Sequence, residues 1–238
     1  MVEVAELLSS LGLADRASDE RPHVIANFIS SADGRAAFHG RSGALGDEGD
    51  KALFHGLREQ VDAVLAGTGT LRAERYGRLL GDPERRRRRV QAGRAPEPLA
   101  CVVTRTGDVP TDAPLFSEPE ARVVVFSPVE LDTSSLQAQV ELVRIDPGEL
   151  TLTTVLRRLR LDHEIRSLLC EGGPTIFGSL LREGLADELF LTLSPKLAGG
   201  GSSPTISSGP ELPELCPVRP TWVLEHEDAL YLRYAIGR

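Results

Sequence analysis

The chain has little cysteine, no long apolar run and no excess of basic residues. Its 238 residues include three cysteines without a Cys-x-x-Cys pair, so no zinc-ligand spacing is present and a reducing, cytoplasmic compartment is expected. No run approaches the roughly 18 apolar residues of a membrane span. The N-terminal residues mix acids with apolar side chains, unlike a signal peptide. The net charge of −8 argues against a general nucleic-acid-binding function.

The chain does have an ordinary share of apolar residues (41%) and a regular alternation of strand-like and helix-like segments. This alternation predicts an α/β fold with a mostly parallel central sheet, helices on both faces and an antiparallel C-terminal edge. We expect a helix and linker over residues 1–20 and a single domain over residues 21–238. The predicted strands are residues 23–30, 61–66, 99–104, 122–127, 140–145, 188–194, 222–227 and 229–235, and the predicted helices are residues 47–60, 150–161 and 176–185.

A polar stretch over residues 72–98 interrupts this pattern and is predicted to be irregular. It contains five consecutive arginines, Arg85 to Arg89. A patch that binds phosphate or nucleic acid is one interpretation of such a run. Because the rest of the chain is acidic, we favour a solvated helix or loop.

A strand, a glycine turn and a helix are predicted around Glu171-Gly172-Gly173-Pro174-Thr175, which follows an apolar run. Proline suits the first helical turn, where its missing N–H costs nothing. The two glycines let backbone N–H groups approach a ligand, and the helix N-terminus behind them favours an anion. The motif is therefore a candidate phosphate cradle. An ordinary strand-to-helix connection that uses glycine for its dihedral angles is the alternative.

A second glycine junction, Gly67-Thr68-Gly69-Thr70, follows the predicted strand 61–66. In a parallel sheet both junctions emerge at the same edge, where a dinucleotide can lie across them. Thr70 and Thr175 can then donate hydroxyl hydrogen bonds to phosphate oxygens. A third junction ends the first strand and places the carboxylate of Asp33 at the same edge.

The motifs FISSADGRAA, GRSGAL, HGLREQVDAVLAGTGTLRAE and LLCEGGPTIFGSLLREGLADELFLTLSPKLAGGG follow one another along the chain. In this order they resemble the reductase domain of bifunctional riboflavin biosynthesis proteins, from about Arg21 to the C-terminus. The resemblance implies a dihydrofolate-reductase-like three-layer fold, NADPH as the cofactor, a homodimer and reduction of the ribosylamino group of a phosphorylated aminopyrimidine. The family's zinc-deaminase signatures, H-x-E and P-C-x-x-C, do not occur in the chain, so a stand-alone reductase without zinc is expected.

The resemblance also implies roles for individual residues. Ser42 and Arg58 match positions near the family's substrate. The 2′-phosphate of NADPH needs a basic residue, and Arg105 is the candidate because it follows the predicted strand 99–104. Ala44 stands where the family commonly has an aromatic residue, and residues 72–81 lack the family's basic position, so the cofactor half of the site is preserved better than the substrate half. The residues assigned to the cofactor, besides Arg105, are Gly67, Gly69, Thr70, Glu74, Gly172, Gly173, Pro174 and Thr175.

Hydride transfer to a C=N bond needs positioning and electrostatics from the protein. Asp33 and Glu171 are the candidate catalytic residues, because a nearby carboxylate stabilises a developing iminium. The alternatives are an Asp-Gly turn that bonds its own backbone and a strand-end acid that caps a helix. Asn27, a polar residue in an apolar strand, either contacts the substrate or the cofactor amide, or is a core amide whose hydrogen bonds are satisfied.

Three functions are compatible with these features. The first is a pyrimidine reductase of the riboflavin pathway. The second is an NADPH-dependent reductase of another pterin-like substrate, such as dihydrofolate. The third is a non-catalytic nucleotide-binding protein that has kept the cofactor pocket. Resemblance in fold does not choose among them.

Overall fold

One sheet of nine strands runs through the computed structural model, which describes Leu8 and residues 11–237. The strands are β1 (His23–Ser31), β2 (Ala63–Gly67), β3 (Leu99–Val103), β4 (Arg122–Ser127), β5 (Gln139–Arg144), β6 (Ser167–Cys170), β7 (Glu188–Ser194), β8 (Val218–His226) and β9 (Ala229–Ile236). Their order is β5-β4-β3-β2-β6-β1-β7-β9-β8. The strands from β5 to β7 in this order pair in parallel, whereas β9 pairs antiparallel with β7 and β8. The expected mostly parallel sheet with an antiparallel C-terminal edge is confirmed, and most of the expected N-terminal helix lies outside the described residues.

Over residues 11–237, the α-helices that connect the strands are α1 (Glu48–Gln60), α2 (Thr68–Glu74), α3 (Pro83–Gln91), α4 (Leu152–Asp162) and α5 (Pro174–Arg182). The helix α1 begins where the carboxylate of Asp47 accepts a hydrogen bond from the N–H of Asp50 at 2.7 Å. Prolines occupy the first positions of α3 and α5, where no N–H is needed. None of the helices within the described residues is long and apolar enough to cross a membrane.

Helices cover both faces of the sheet, which gives the expected three layers. Because side chains alternate along a strand, Ile25 and Asn27 of β1 point to one face and Phe28 points to the other. The first face packs against Leu53 and Leu57 of α1. The second face packs against α4 and α5 through Val155, Leu156, Leu159, Phe177 and Leu180.

The two cysteines that lie in strands are buried core residues. Cys101 in β3 and Cys170 in β6 are each no more than 1% exposed. Burial raises the pKa of the Cys170 thiol to about 12, so this thiol stays protonated at neutral pH.

The stretch 72–98 is not irregular throughout, since the arginine run forms a helix, one of the two forms expected for it, but the run is not fully solvated. Residues 83–91 form α3, and Arg89 is only 2% exposed. Its Nη1 donates to the carbonyl oxygens of Glu59 at 2.8 Å and Val61 at 2.6 Å, which caps the C-terminal end of α1. Arg88 and Arg85 bind the carboxylate of Glu59. The run therefore joins α3 to α1, because cations stabilise the carbonyl end of a helix.

A buried cluster of charges joins the amino end of β1 to the C-terminal edge of the sheet. Glu188, the first residue of β7, is 3% exposed. Its carboxylate accepts hydrogen bonds from Arg233 at 2.6 and 3.0 Å, lies 3.2 Å from His23 Nε2 and also pairs with Arg16. Burial alone would raise the pKa of this carboxyl, but the hydrogen bonds from His23 and Arg233 lower it to about 2. Glu188 is therefore ionised throughout the physiological pH range.

Candidate active site

The strand β6 is shorter than both of its neighbours, and this leaves a notch at the carboxyl edge of the sheet. Its last residue, Cys170, is level with Ala26 of β1 and Leu65 of β2. The strand β1 continues to Ser31 and β2 continues to Gly67. The residues that follow β6 therefore turn within the notch, and such crevices are where open parallel sheets bind ligands.

The two glycine junctions meet in this notch. The N–H of Gly67 donates to the carbonyl oxygen of Gly172 at 2.9 Å. Gly172 has a φ of +111°, and a Cβ added to Gly173 would lie 3.2 Å from Thr70 Oγ1. These positions therefore favour glycine. The expected meeting of the two junctions at one edge is confirmed.

Both junctions lead directly into helices. Because α2 begins immediately after β2, Gly69 and Thr70 lie in its first turn and not in the predicted glycine turn. A Cβ added to Gly69 would meet no atom within 4 Å, so this side of the turn faces open space. The helix α5 begins at Pro174, and the exposed Thr175 hydroxyl lies 3.1 Å from Ser208 Oγ. The α5 N-terminus is a position where backbone N–H groups favour an anion.

Asp33 lies at the same edge and holds two segments together. Its carboxylate accepts hydrogen bonds from Ser31 Oγ at 2.5 Å and from the N–H groups of Ala198 at 3.0 Å and Gly199 at 2.7 Å. The Ser31 hydroxyl, followed by the backbone N–H groups, lowers the pKa of Asp33 to about 2. The side chain thus reaches beyond its own turn to the segment after β7. It carries a negative charge and has no proton to donate at neutral pH.

Arg58 and Glu171, predicted separately, bind each other. Arg58 Nε and Nη2 donate to the two oxygens of Glu171 at 2.6 and 2.7 Å, and Nη1 donates to the carbonyl of Leu79 at 2.9 Å. The Tyr76 hydroxyl donates to Glu171 at 2.7 Å, and the Phe54 ring lies 4.1 Å from the guanidinium carbon. Burial disfavours the Arg58 charge, but the Glu171 carboxylate more than offsets this and raises the pKa of Arg58. No sequence signal identified Tyr76 as part of this group.

Asn27 has an unsatisfied polar atom beside the notch. The residue is 8% exposed, and its Oδ1 accepts no hydrogen bond from any described residue. A buried acceptor left without a donor costs about 1–3 kcal/mol. The interpretation of Asn27 as a satisfied core amide is therefore wrong for its oxygen, which is free to accept a hydrogen bond from a ligand.

Ser42 and Glu74, assigned to different halves of the site, also contact each other. The N–H and the hydroxyl of Ser42 both donate to Glu74 Oε1 at 2.9 Å. The next residues are held from the opposite side, where Lys196 Nζ lies 2.9, 3.0 and 3.4 Å from the carbonyl oxygens of residues 44, 45 and 46. Lys196 was not among the predicted site residues. Its only sequence signal is its position two residues after the predicted strand 188–194.

Arg105 lies near the candidate cofactor position. It is exposed and follows β3 by two residues. Because Val103 of β3 is level with Gly67 of β2, Arg105 lies at the same edge as the glycine junctions, one strand away.

A cavity of about 690 Å³ lies at the opposite edge of the sheet, beside the first residues of β3, β4 and β5. Two of its three arginines, Arg89 and Arg94, already donate to backbone carbonyls at the C-terminal end of α1. This cavity is separate from the glycine junctions, because the rest of its lining comes from the segment after α3, the amino ends of the strands and the segment after α4.

The fold and the site together are typical of α/β proteins that bind a nucleotide across the carboxyl edge of a parallel sheet. The particular family is shown by sequence. The chain belongs to the RibD C-terminal domain family, whose model matches residues 22–228.

Known relatives and solved structures agree with this assignment. The chain is 28% identical over 199 residues to 2,5-diamino-6-ribosylamino-4(3H)-pyrimidinone 5′-phosphate reductase from Archaeoglobus fulgidus, covering 82% of this chain and 90% of that protein. It is 32% identical over 181 residues to riboflavin biosynthesis protein RibD from Mycobacterium tuberculosis, covering 75% of this chain and 44% of that protein. A pyrimidine reductase-like protein from Corynebacterium diphtheriae superposes over the whole of both chains with a TM-score of 0.80 at 21% identity. The expected dihydrofolate-reductase-like fold is confirmed.

Proposed function

We propose that this chain is an NADPH-dependent reductase that transfers hydride to the ribosylamino (imine) group of a phosphorylated aminopyrimidine in riboflavin biosynthesis. Family membership and the similarity to an archaeal reductase over 82% of the chain support this proposal. The observation that carries it is the meeting of two glycine junctions beside the α5 N-terminus in the notch of the sheet.

The cofactor half is proposed to lie where the two junctions meet. The α5 N-terminus and the exposed Thr175 suit the pyrophosphate, and the open space beside Gly69 admits a ligand. Arg105 is proposed to bind the 2′-phosphate, which would favour NADPH over NADH. When bound, the nicotinamide supplies the hydride. The remaining residues proposed to hold the cofactor are Gly67, Thr70, Glu74, Gly172, Gly173 and Pro174.

The substrate half is proposed to lie on the α1 face of the sheet. Asn27 Oδ1 is free to accept a hydrogen bond from an N–H of the pyrimidine, and such a bond would satisfy its buried oxygen. Ser42 belongs to a segment beside this space. Arg58 already uses its donors on Glu171 and Leu79, so we assign it the role of holding Glu171 in place.

The two candidate carboxylates have different proposed roles. Hydride addition to the imine carbon converts the C=N bond to a C–N bond and is easier when the nitrogen is protonated. Asp33 is ionised and exposed, so its charge favours that cationic nitrogen, and it supplies no proton. The negative charge of Glu171 is balanced by the guanidinium of Arg58, so the proposed role of Glu171 is to orient neighbouring groups.

A panel of binding and turnover assays tests the proposal. The pure protein is titrated with NADPH and NADH, and loss of the nicotinamide absorbance is followed with the ribosylaminopyrimidine phosphate, with its deaminated ribosylaminouracil counterpart and with dihydrofolate. We expect NADPH binding and turnover of one of the two ribosylamino substrates. Turnover of dihydrofolate alone would favour a pterin-like substrate. NADPH binding without turnover would favour a nucleotide-binding protein, and failure to bind NADPH would refute a reductase.

A homodimer is part of the proposal. The edge strand β8 exposes Val218 and Val223 at 47% and 55%, which leaves an apolar edge that a second copy can cover. Light scattering at micromolar concentration measures the mass, and a monomeric mass would refute the dimer while leaving the reductase assignment intact.

A further inference from the structure

Residues 42–46, here called the bridging segment, are held at both ends. At one end, Ser42 donates twice to Glu74, the last residue of α2, and α2 directly follows β2. At the other end, the carbonyl oxygen of Leu45 accepts from Ser194 Oγ at 2.7 Å and from Lys196 Nζ at 3.0 Å. Ser194 is the last residue of β7. The bridging segment therefore links the end of α2, the helix that follows β2, to the carboxyl end of β7, and β2 and β7 are not neighbours in the sheet.

The strand order places this segment over the notch. Both β6 and β1 lie between β2 and β7, so the bridging segment crosses above their carboxyl ends. Three strand spacings amount to about 14 Å. Residues 42 to 45 form a turn, in which the N–H of Leu45 donates to the carbonyl oxygen of Ser42 at 2.9 Å, and such a turn spans less than about 7 Å. The long side chains of Glu74 and Lys196 supply the remaining reach. Asn27 lies in β1 and Glu171 directly follows β6, and Asn27 Oδ1 accepts no hydrogen bond from any described residue. By the strand order, the bridging segment therefore covers the two strands that carry the proposed acceptor compartment.

Lys196 suits this anchoring position for a chemical reason. Its ammonium group has three donors that can turn toward three convergent carbonyls, whereas a planar guanidinium matches a carboxylate. The chain has 27 basic residues, and Lys51 and Lys196 are its only lysines. With the three carbonyls of residues 44–46 within 2.9 to 3.4 Å, the ammonium has no spare donor for a phosphate.

We propose that Lys196 is a positioning residue that fixes the bridging segment above the acceptor compartment, an inference that rests on the proposed function. The ammonium neutralises three carbonyl dipoles that would otherwise turn toward water. Without it, binding of the pyrimidine acceptor must also order the bridging segment, and this lowers affinity for the acceptor. Lys196 contacts residues 44–46 and not the glycine junctions proposed to hold the cofactor, so we expect the affinity for NADPH not to depend on Lys196.

Enzyme kinetics of three variants test this role: Lys196→Met, Lys196→Arg and the control Lys51→Met. Lys51 is exposed, and among the described residues its ion-pair partner is Glu48, at 2.6 Å. We expect Lys196→Met to raise the KM for the acceptor at least about tenfold, as loss of charge-assisted hydrogen bonds does, with the Kd for NADPH and kcat little changed. Lys196→Arg should restore part of the loss, and Lys51→Met should match the parent. An unchanged KM, or equal increases in KM and in the Kd for NADPH, would overturn the proposal.

A second measurement does not depend on activity. Cleavage after Arg41 by an arginine-specific protease reports how firmly the adjacent bridging segment is held. We expect faster cleavage in Lys196→Met and in Glu74→Gln, unchanged cleavage in Lys51→Met, and less than additive effects when the two anchors are removed together. Parental cleavage rates in Lys196→Met would overturn the anchoring. Faster cleavage in a protein that reduces no pyrimidine would overturn the proposed acceptor and retain the anchoring.

Discussion

Removing the guanidinium of Arg58 should destabilise the protein far more than removing an exposed arginine. The side chains of Arg58 and Glu171 are 7% and 1% exposed, and two hydrogen bonds join them at 2.6 and 2.7 Å. Arg58→Met leaves the buried carboxylate with Tyr76 as its remaining described side-chain donor, and breaking a buried pair in this way costs about 3–5 kcal/mol. For a chain of this size each kcal/mol lowers Tm by about 2–4 °C, so we expect a loss of roughly 10 °C.

The matched control is Arg144→Met. Arg144 pairs with Glu130 at 2.8 Å, but the two side chains are 60% and 74% exposed, so its removal should cost less than about 1 kcal/mol. Urea and thermal unfolding of both variants measure the difference. Adding Glu171→Met to Arg58→Met should recover stability, because the unpaired charge is then removed. A loss for Arg58→Met no larger than for the control, or a double variant that loses the sum of both single losses, would refute this reasoning.

Four further predictions follow from the site and its supports. Gly69→Val should weaken NADPH binding at least about tenfold in a fluorescence titration, by filling the open space, whereas Gly148→Val, which also meets no atom within 4 Å, should leave it unchanged. Asn27→Leu should raise the acceptor KM and also raise stability by about 1 kcal/mol in urea unfolding, since an unsatisfied buried oxygen is removed. Asp33→Asn should lower kcat more than NADPH affinity, and equal losses would contradict the electrostatic role. The pKa of Glu188 falls from an ordinary 4.5 to about 2 on folding, so its stabilisation is present above about pH 4.5 and is lost as pH falls toward 2. Glu188→Gln should therefore be less stable than the parent by about 3 kcal/mol at pH 7, and a difference that does not shrink in urea unfolding at pH 3 would contradict this linkage.

Local chemistry explains why the two glycine junctions could be predicted from sequence. Gly172 and Gly173 are required by a positive φ and by the close approach of Thr70, and both constraints appear in the sequence as glycine between a strand and a helix. The alternation of apolar segments likewise predicts the bounds of β4 and β7 correctly. The positive φ of Gly172 and the bounds of these strands depend on neighbours in sequence, so the order of residues is sufficient to find them, whereas the approach of Thr70 to Gly173 depends on the strand order.

The ion pairs could not be predicted in this way. Arg58 and Glu171 are 113 positions apart, and they meet because β6 inserts beside β2 in the sheet. Arg89 caps α1 through contacts that depend on how α3 folds back, so composition alone favoured a solvated run. Many partners are chemically suitable for a long charged side chain, and the topology of the sheet determines which of them lies within reach.

The central position of β6 also determines when this protein can fold. The strands β1 and β2 do not pair with each other, because each pairs with β6 on one side. Ser167 to Cys170 emerge from the ribosome after more than two thirds of the chain. Until then, β1 and β2 have vacant edges, and such edges invite wrong pairing. The notch proposed to receive the ligand is therefore among the last parts of the sheet to assemble, and a nascent chain that stops before residue 167 cannot form it.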